Sequence, residues 1–256
     1  MKPAYVMGLG LWTPGHASAE SWCRGEFDAS VETPEVSLLS GPLRRRATGL
    51  TRMAVEAFHQ ATSQAGCDPA TIPSVWATSH GEHTTAIKIL DMMRRGEGRL
   101  SPTHFHNSVH NTASGYASIA TGNCAPSTTL TGGAELVASG LLEAMCLLEA
   151  SADGVVWVLA DEPLLPPFDR GDGDSPLALA FCLSSRSDGA LALLSEMRRD
   201  AVTPIGRHDR FGRLSVAAAL PLLERIVLGR PGTVALELED ERPGPVSCVD
   251  LDLVAS

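Results

Sequence analysis

The chain alternates between short apolar runs and longer stretches of helical period. AYVMGLGL, from Ala4, carries no charge and is closed by Thr13-Pro14-Gly15, the pattern of a buried strand ended by a turn. From Gly49 to Ala65, Leu50, Met53, Ala54, Ala57, Phe58 and Ala61 recur at helical spacing. SVWATSH (from Ser74) reads as a strand, HTTAIKILDMMRRG (from His83) as a helix ending at Gly96, and Asn107 to Gly122 as a helix rich in small residues. STTLTG then predicts a strand, AELVASGLLEAMCLLEA (from Ala134) a long apolar helix, and GVVWVLAD (from Gly154) a strand. Beyond the loop LPPFDRGDGDSP, LALAFCLSS and ALALLSEM flank Asp188-Gly189 as a hairpin would. Leu214 to Leu228 predicts a helix, and TVALELE with VSCVDLDLV a closing pair of strands. Strands separated by helices, followed by paired strands, predict a mixed α/β sheet covered by helices, in one domain.

Composition narrows the setting. The 256 residues are 44% hydrophobic and 20% charged, as in a folded globular protein. No apolar run reaches the roughly 18–20 residues that span a bilayer. The N-terminal apolar segment is preceded by Pro3 and interrupted by Gly8 and Gly10, so it reads as strand and turn and not as a signal peptide. The six cysteines (Cys23, Cys67, Cys124, Cys146, Cys182 and Cys248) form no C-x-x-C pair or disulfide framework, which fits a reducing cytoplasm. A formal charge of −10 argues against nucleic acid or an anionic membrane as the main partner. Arg44, Arg45 and Arg46 make the one basic cluster, and they read as a solvated loop.

Several chemistries can be weighed. His80, Glu82 and His83 are near neighbours, as are His104, His106 and His110, but neither spacing matches a standard zinc site and no H-E-x-x-H occurs. Ser108 and His110 are two apart and would not share a helix face, and no G-x-S-x-G elbow is present. Cys124 has no basic neighbour in sequence to lower its pKa. Asp161-Glu162 follows a strand, where catalytic acids sometimes sit, yet ADEPLLPP reads equally as a turn. Gly8 and Gly10 open a G-x-G with no third glycine at a helix start, so the dinucleotide fingerprint fails. No metal and no cofactor is expected.

One segment carries a resemblance. Ser101-Pro102, Phe105, Asn111, Gly115, Ser118-Ile119, Gly122 and Pro126-Ser127 lead into a strand, Gly132-Gly133 and an apolar helix. This run resembles the approach to the active-site cysteine of β-ketoacyl synthases, whose thiolate sits at a helix N-terminus where dipole and free N–H groups favour an anion. In that register the nucleophile position falls on Ala134. YVMGLGLWTP, SVWATSHGE and GVVWVLADEP resemble first-half synthase elements in the same order. The second half departs: the family's HGTGT, GHxxGAAG-type and NSFGFGG-type motifs are missing, and only His208 lies beyond residue 110. RFGRLSVAAALPLLERIVL resembles the small-residue helix alone.

The resemblance implies a thiolase-like fold in a single domain, with residues 1–196 like a synthase first half and 197–256 an abbreviated second half. It also implies a chain that lacks the thiolate and the oxyanion donors of a condensing enzyme. The kind of protein it most resembles is the chain-length-factor-like partner of bacterial type II polyketide systems, in particular those making aryl polyene pigments. The implied partners are a full-length ketosynthase, in a heterodimer or higher heteromer, and indirectly an acyl carrier protein. Thr128, Thr129, Leu130 and Thr131 would form the strand that meets the partner. Thr85, Ile89, Phe105, Val109 and His110 would face an acyl tunnel. Two other readings stay open: a hydrolase or metal-dependent enzyme using Ser108 and the His104/His106/His110 region, and a homodimeric binding module of the same fold.

Overall fold

The computed structural model describes residues 2–254 except 97, 98, 100, 152, 167, 169–174, 207, 213 and 240–243. Its strands are β1 (Ala4–Trp12), β2 (Ser74–Thr78), β3 (Ser127–Thr131), β4 (Gly154–Asp161), β5 (Leu177–Ser184), β6 (Ala192–Asp200), β7 (Gly232–Ala235) and β8 (Val246–Leu253). Its helices are α1 (Ala19–Cys23), α2 (Gly41–Arg46), α3 (Gly49–Ala65), α4 (His83–Arg95), α5 (Pro102–His106), α6 (Thr112–Thr121), α7 (Leu136–Ser151) and α8 (Leu220–Val227). All eight strands join one sheet in the order β3-β2-β4-β5-β1-β6-β8-β7. The β3-β2-β4 end is parallel and every other pairing is antiparallel.

A sheet buried on both faces explains the strands' composition. Val155, Trp157 and Leu159 of β4 join one core with α7 and α8, while Val156, Val158 and Ala160 join a second core with α3 and α6. That is why GVVWVLA reads as a continuous apolar run instead of an alternation. α3 begins at a true cap, the Thr48 hydroxyl accepting from the Thr51 backbone N–H at 3.0 Å. It crosses β1 so closely that a Cβ on Gly10 would stand 2.1 Å from the Ala57 carbonyl oxygen. β6 pairs with β1 only through Ala4–Val6. Beyond that point the Leu9 and Leu11 N–H groups donate to the side-chain oxygens of Gln64 and Gln60 on α3. The glycines of the G-x-G therefore serve helix-on-strand packing, not phosphate binding.

Several expectations need correction. β5 and β6 are not a hairpin: β1 lies between them and pairs with both, so Asp188-Gly189 turns a connection that skips a strand. The helix predicted from Asn107 to Gly122 begins only at Thr112, as α6, with α5 a separate short helix before it, and Asn107 is spent as a bracket: its Nδ2 donates to the Arg46 carbonyl at 2.6 Å and its Oδ1 accepts from Tyr116 at 3.1 Å. α7 begins at Leu136, two residues after Ala134. Residues 215–219 form a 3₁₀ turn before α8, and β7 stops at Ala235, short of the predicted Glu239. The strand at Ser74 ends at Thr78, because Ser79 turns to bind Asp161. Most of the loop LPPFDRGDGDSP lies outside the described residues.

Candidate functional site

Among the described residues β3 is the edge of the sheet and pairs only with β2, from Ser74↔Ser127 to Thr78↔Thr131. Its outer side leaves a row of backbone groups facing away from the sheet. Thr128, Thr129 and Leu130 are half-buried and Ser127 and Thr131 exposed, so this strand presents neither core nor a fully wetted face. Past Gly132 and Gly133 the chain turns, with the Leu136 N–H donating to the Gly133 carbonyl at 3.0 Å, and α7 begins. Ala134 sits half-buried in that turn. A methyl group thus occupies the corner between edge strand and helix, where a nucleophile would meet the orphan N–H groups of the helix.

Behind this edge, the C-terminal ends of β2 and β4 gather three carboxyl groups. Asp161, the last residue of β4, accepts from Thr78 Oγ1 at 2.9 Å, the Ser79 N–H at 2.7 Å and Ser79 Oγ at 2.7 Å. Burial pushes its pKa up, against the pull of these donors. Its work is structural: it ties the end of β4 to the turn after β2. Glu162 accepts from Thr84 Oγ1 at 2.6 Å and lies 4.0 Å from His83 Nδ1, while His83 Nε2 meets the Pro163 carbonyl at 3.1 Å.

Glu82 is the deepest of the three, with 2% of its surface exposed. Its Oε1 accepts from Thr48 Oγ1 and Thr51 Oγ1, both at 2.7 Å, at the start of α3. Its Oε2 is buried without a hydrogen-bond partner. Burial pushes its pKa up to about 7, with neighbouring Glu162 adding to the rise and the two threonine hydroxyls opposing it. A cavity of about 20 Å³ beside it is lined by Glu82, Thr78, Trp76, His110, Ala113 and Thr129, among others. Sequence reasoning weighed Glu82 only as a possible metal ligand and passed over Thr48 and Thr51, because these partners lie 34 and 31 residues from it and only the fold shows that Glu82 is buried. The available signal was a capping threonine before the α3 pattern.

The proposed tunnel residues divide. Thr85 is buried in α4 and Ile89 is half-buried one turn on. Phe105 is 66% and Val109 42% exposed. α4 and α5 touch, and α4 adds the exposed Leu90 and Met93, so three apolar side chains stand on two adjoining helices, with Val109 in the turn after α5. His110 lies against the Gly81 turn, where a Cβ on Gly81 would come 3.0 Å from its Cα, and it lines the Glu82 cavity with Thr129. The other histidine readings are pulled apart. His106 packs on Tyr116 at 5.6 Å between ring centroids, His104 is exposed, and Ser108 Oγ donates to the Phe105 carbonyl instead of meeting His110. Among the described residues no three His, Cys, Asp or Glu side chains converge as metal ligands, and no helix is long and apolar enough to cross a membrane.

A single sheet with helices on both faces, a parallel end, an edge strand and a helix rising from the corner beyond it defines a ketosynthase-like architecture. A family profile settles the class: residues 19–226 match the β-ketoacyl synthase N-terminal domain, and the chain belongs to that family. A comparison with curated proteins gives no match. Among solved structures, the chain is similar to the complex of the ketosynthase ApeO with its chain length factor ApeC from Xenorhabdus doucetiae, at 20% identity and TM-score 0.72, covering 98% of this chain and 100% of that one. It is similar to a chain of AntDE:AntF, a type II acyl-carrier protein in complex with its ketosynthase, at 12% identity and TM-score 0.76, covering 99% of both. The ishigamide ketosynthase/chain length factor matches at 15% identity and TM-score 0.73 over the full length of both chains. These likenesses establish the thiolase-like fold anticipated from sequence.

Proposed function

We propose that this chain is a noncatalytic, chain-length-factor-like subunit that pairs with an active ketosynthase, stabilises it and shapes its acyl tunnel. The observation that carries the reading is Ala134, an inert side chain at the corner between an open edge strand and α7. The solved relatives named above include ketosynthases held with chain length factors, and in one case with an acyl-carrier protein. In this reading Thr128, Thr129, Leu130 and Thr131 meet the partner, and residues 197–256 serve as an abbreviated second half that completes the scaffold. Thr85, Ile89, Phe105, Val109 and His110 wall the tunnel, with Leu90 and Met93 extending the apolar surface. The substrate is a growing acyl chain held on the partner's cysteine, of the kind extended in polyketide, aryl polyene or fatty-acid-like synthesis. The chain works in the cytoplasm.

Co-expression with a full-length ketosynthase should give one heteromeric species by light scattering, burying at least roughly 2,000 Å². A monodisperse monomer or stable homodimer indifferent to the synthase would contradict the proposal. In the reconstituted complex, Ile89→Ala or Phe105→Ala should lengthen the product, and Ile89→Trp or Thr85→Phe should shorten it. Each two-carbon extension needs about 2.5 Å more tunnel, and a packed end wall yields only at a cost of about 1–3 kcal/mol. Product length by mass spectrometry decides: four wild-type distributions from intact complexes would return these residues to ordinary packing.

A second expectation concerns the corner itself. The purified chain should show no mass increase with an acyl thioester, and Ala134→Cys should still give no condensation. Four of the eight histidines are engaged elsewhere: His83 with Pro163, His106 with Tyr116, and His16 and His208 in an aromatic group around Trp22. A lone thiol has neither a base nor oxyanion donors arranged for it. Condensation product from the Ala134→Cys chain without partner would overturn this.

A further inference from the structure

Glu82 holds the start of α3 through Oε1, but that role leaves its buried Oε2 unpartnered beside a cavity. Leaving such an atom unpaired costs about 1–3 kcal/mol. The hydrogen bonds around Glu82 also assign its two oxygens. Oε1 accepts two hydroxyl donors, so in the neutral acid the proton sits on Oε2. Among the described residues Oε2 has no hydrogen-bond partner. The cavity, about 20 Å³, holds one oxygen-sized group, since a water needs roughly 10–15 Å³. Its walls include Thr129, half-buried on the edge strand, and His110, which is exposed. The cavity therefore lies just beneath the face assigned above to the tunnel and the partner.

We propose that Glu82 and the cavity beside it form a hydrogen-bonding subsite for an oxygen at the far end of the acyl chain, a hydroxyl or a carbonyl, which enters past His110 and Thr129. This rests on the tunnel reading and adds a substrate class to it: chains with an oxygenated end are held in preference to chains ending in a plain methyl group. Glu82 donates from Oε2, while Thr48 and Thr51 fix its orientation from the N-terminus of α3. An apolar end would leave the donor unpaired, and that penalty is the source of the discrimination.

The test uses the ketosynthase complex and a matched pair of medium-chain acyl-carrier thioesters, one ending in a methyl group and one in an ω-hydroxyl. The readout is the ratio of their kcat/KM values for extension. Wild type should favour the ω-hydroxy chain roughly tenfold, the size of one hydrogen bond to an otherwise unpaired donor. Glu82→Gln keeps a neutral donor and should keep most of the preference. Glu82→Met removes the donor and should bring the ratio to about one. Should Glu82→Met fail to assemble, Ala113→Val fills the cavity from α6 while keeping Glu82 and its bonds to Thr48 and Thr51, and should lower the ratio in the same way. Equal ratios in wild type, Glu82→Met and Ala113→Val would overturn the subsite and leave the cavity to a lone water. That result is distinct from failure of the tunnel reading, which shows as no complex or as product lengths insensitive to Ile89.

Discussion

Gly10→Ala should lower the thermal midpoint of the protein by roughly 10 °C, following a loss of about 3 kcal/mol or more in a chain of this size. The added methyl would stand 2.1 Å from the Ala57 carbonyl oxygen, 2.8 Å from its carbonyl carbon and 3.0 Å from its Cα. All three are backbone atoms of α3, so no rotamer change relieves the clash. α3 must lift from β1, loosening the face that buries Leu50, Met53, Ala54, Ala57, Phe58 and Ala61. It would also pull Gln60 and Gln64 away from the Leu11 and Leu9 N–H groups, which have no strand partner to replace them. Gly115→Ala is the control: its Cβ meets nothing within 4 Å, and alanine inside α6 should be neutral or stabilising by up to about 1 kcal/mol. A Gly10→Ala midpoint within 2–3 °C of wild type, roughly the effect of 1 kcal/mol, would mean that α3 adjusts at little cost and that the packing account is wrong.

How far the sequence could be read follows from where its information is local. The α3 pattern was legible because one helix carries its own apolar face and its own capping threonine, and its bounds Gly49–Ala65 agree with those expected. GVVWVLAD was equally legible, since a strand buried on both faces stays apolar until its last residue, Asp161, which is held by the turn after β2. Strand order was not. Asp188-Gly189 looks like a hairpin from the flanking residues alone, while the partner that separates β5 from β6 is β1, at the other end of the sequence. The Asn107 bracket failed to announce itself for the same reason, its partner Arg46 being 61 residues away. At the site, the corner at Ala134 came from a family pattern and not from periodicity. Asp161 was noticed for its position, but its function as a tether to Ser79 depends on β2 lying beside β4.

Glu82 should make the protein less stable as pH rises through the range in which most proteins are steady. Its pKa in the fold is about 7, raised chiefly by burial from the ordinary 4.5. Below about 4.5 the acid is neutral in both folded and unfolded chains, and its contribution is fully present. Between 4.5 and 7 the unfolded chain releases the proton while the fold retains it, so stability falls with pH, and the loss levels off once the folded group ionises as well. From pH 5 to pH 8 the fall should be roughly 2.5 kcal/mol, at about 1.36 kcal/mol per pKa unit. Glu82→Gln removes the titration and keeps the shape. His110, His83, Glu162 and Tyr116 around the site stay in place, so the difference between the two proteins isolates Glu82. Wild type should therefore lose ground against Glu82→Gln on going from pH 5 to pH 8. The comparison is made on the purified chain, or on its complex at one fixed protein concentration. Infrared spectra at pH 6 add a direct check, since a carboxylic acid C=O band present in wild type should be missing in Glu82→Gln. Parallel stability curves together with no lost band would show that Glu82 is ionised in the fold, and the assignment of Oε2 as a donor would fall with it.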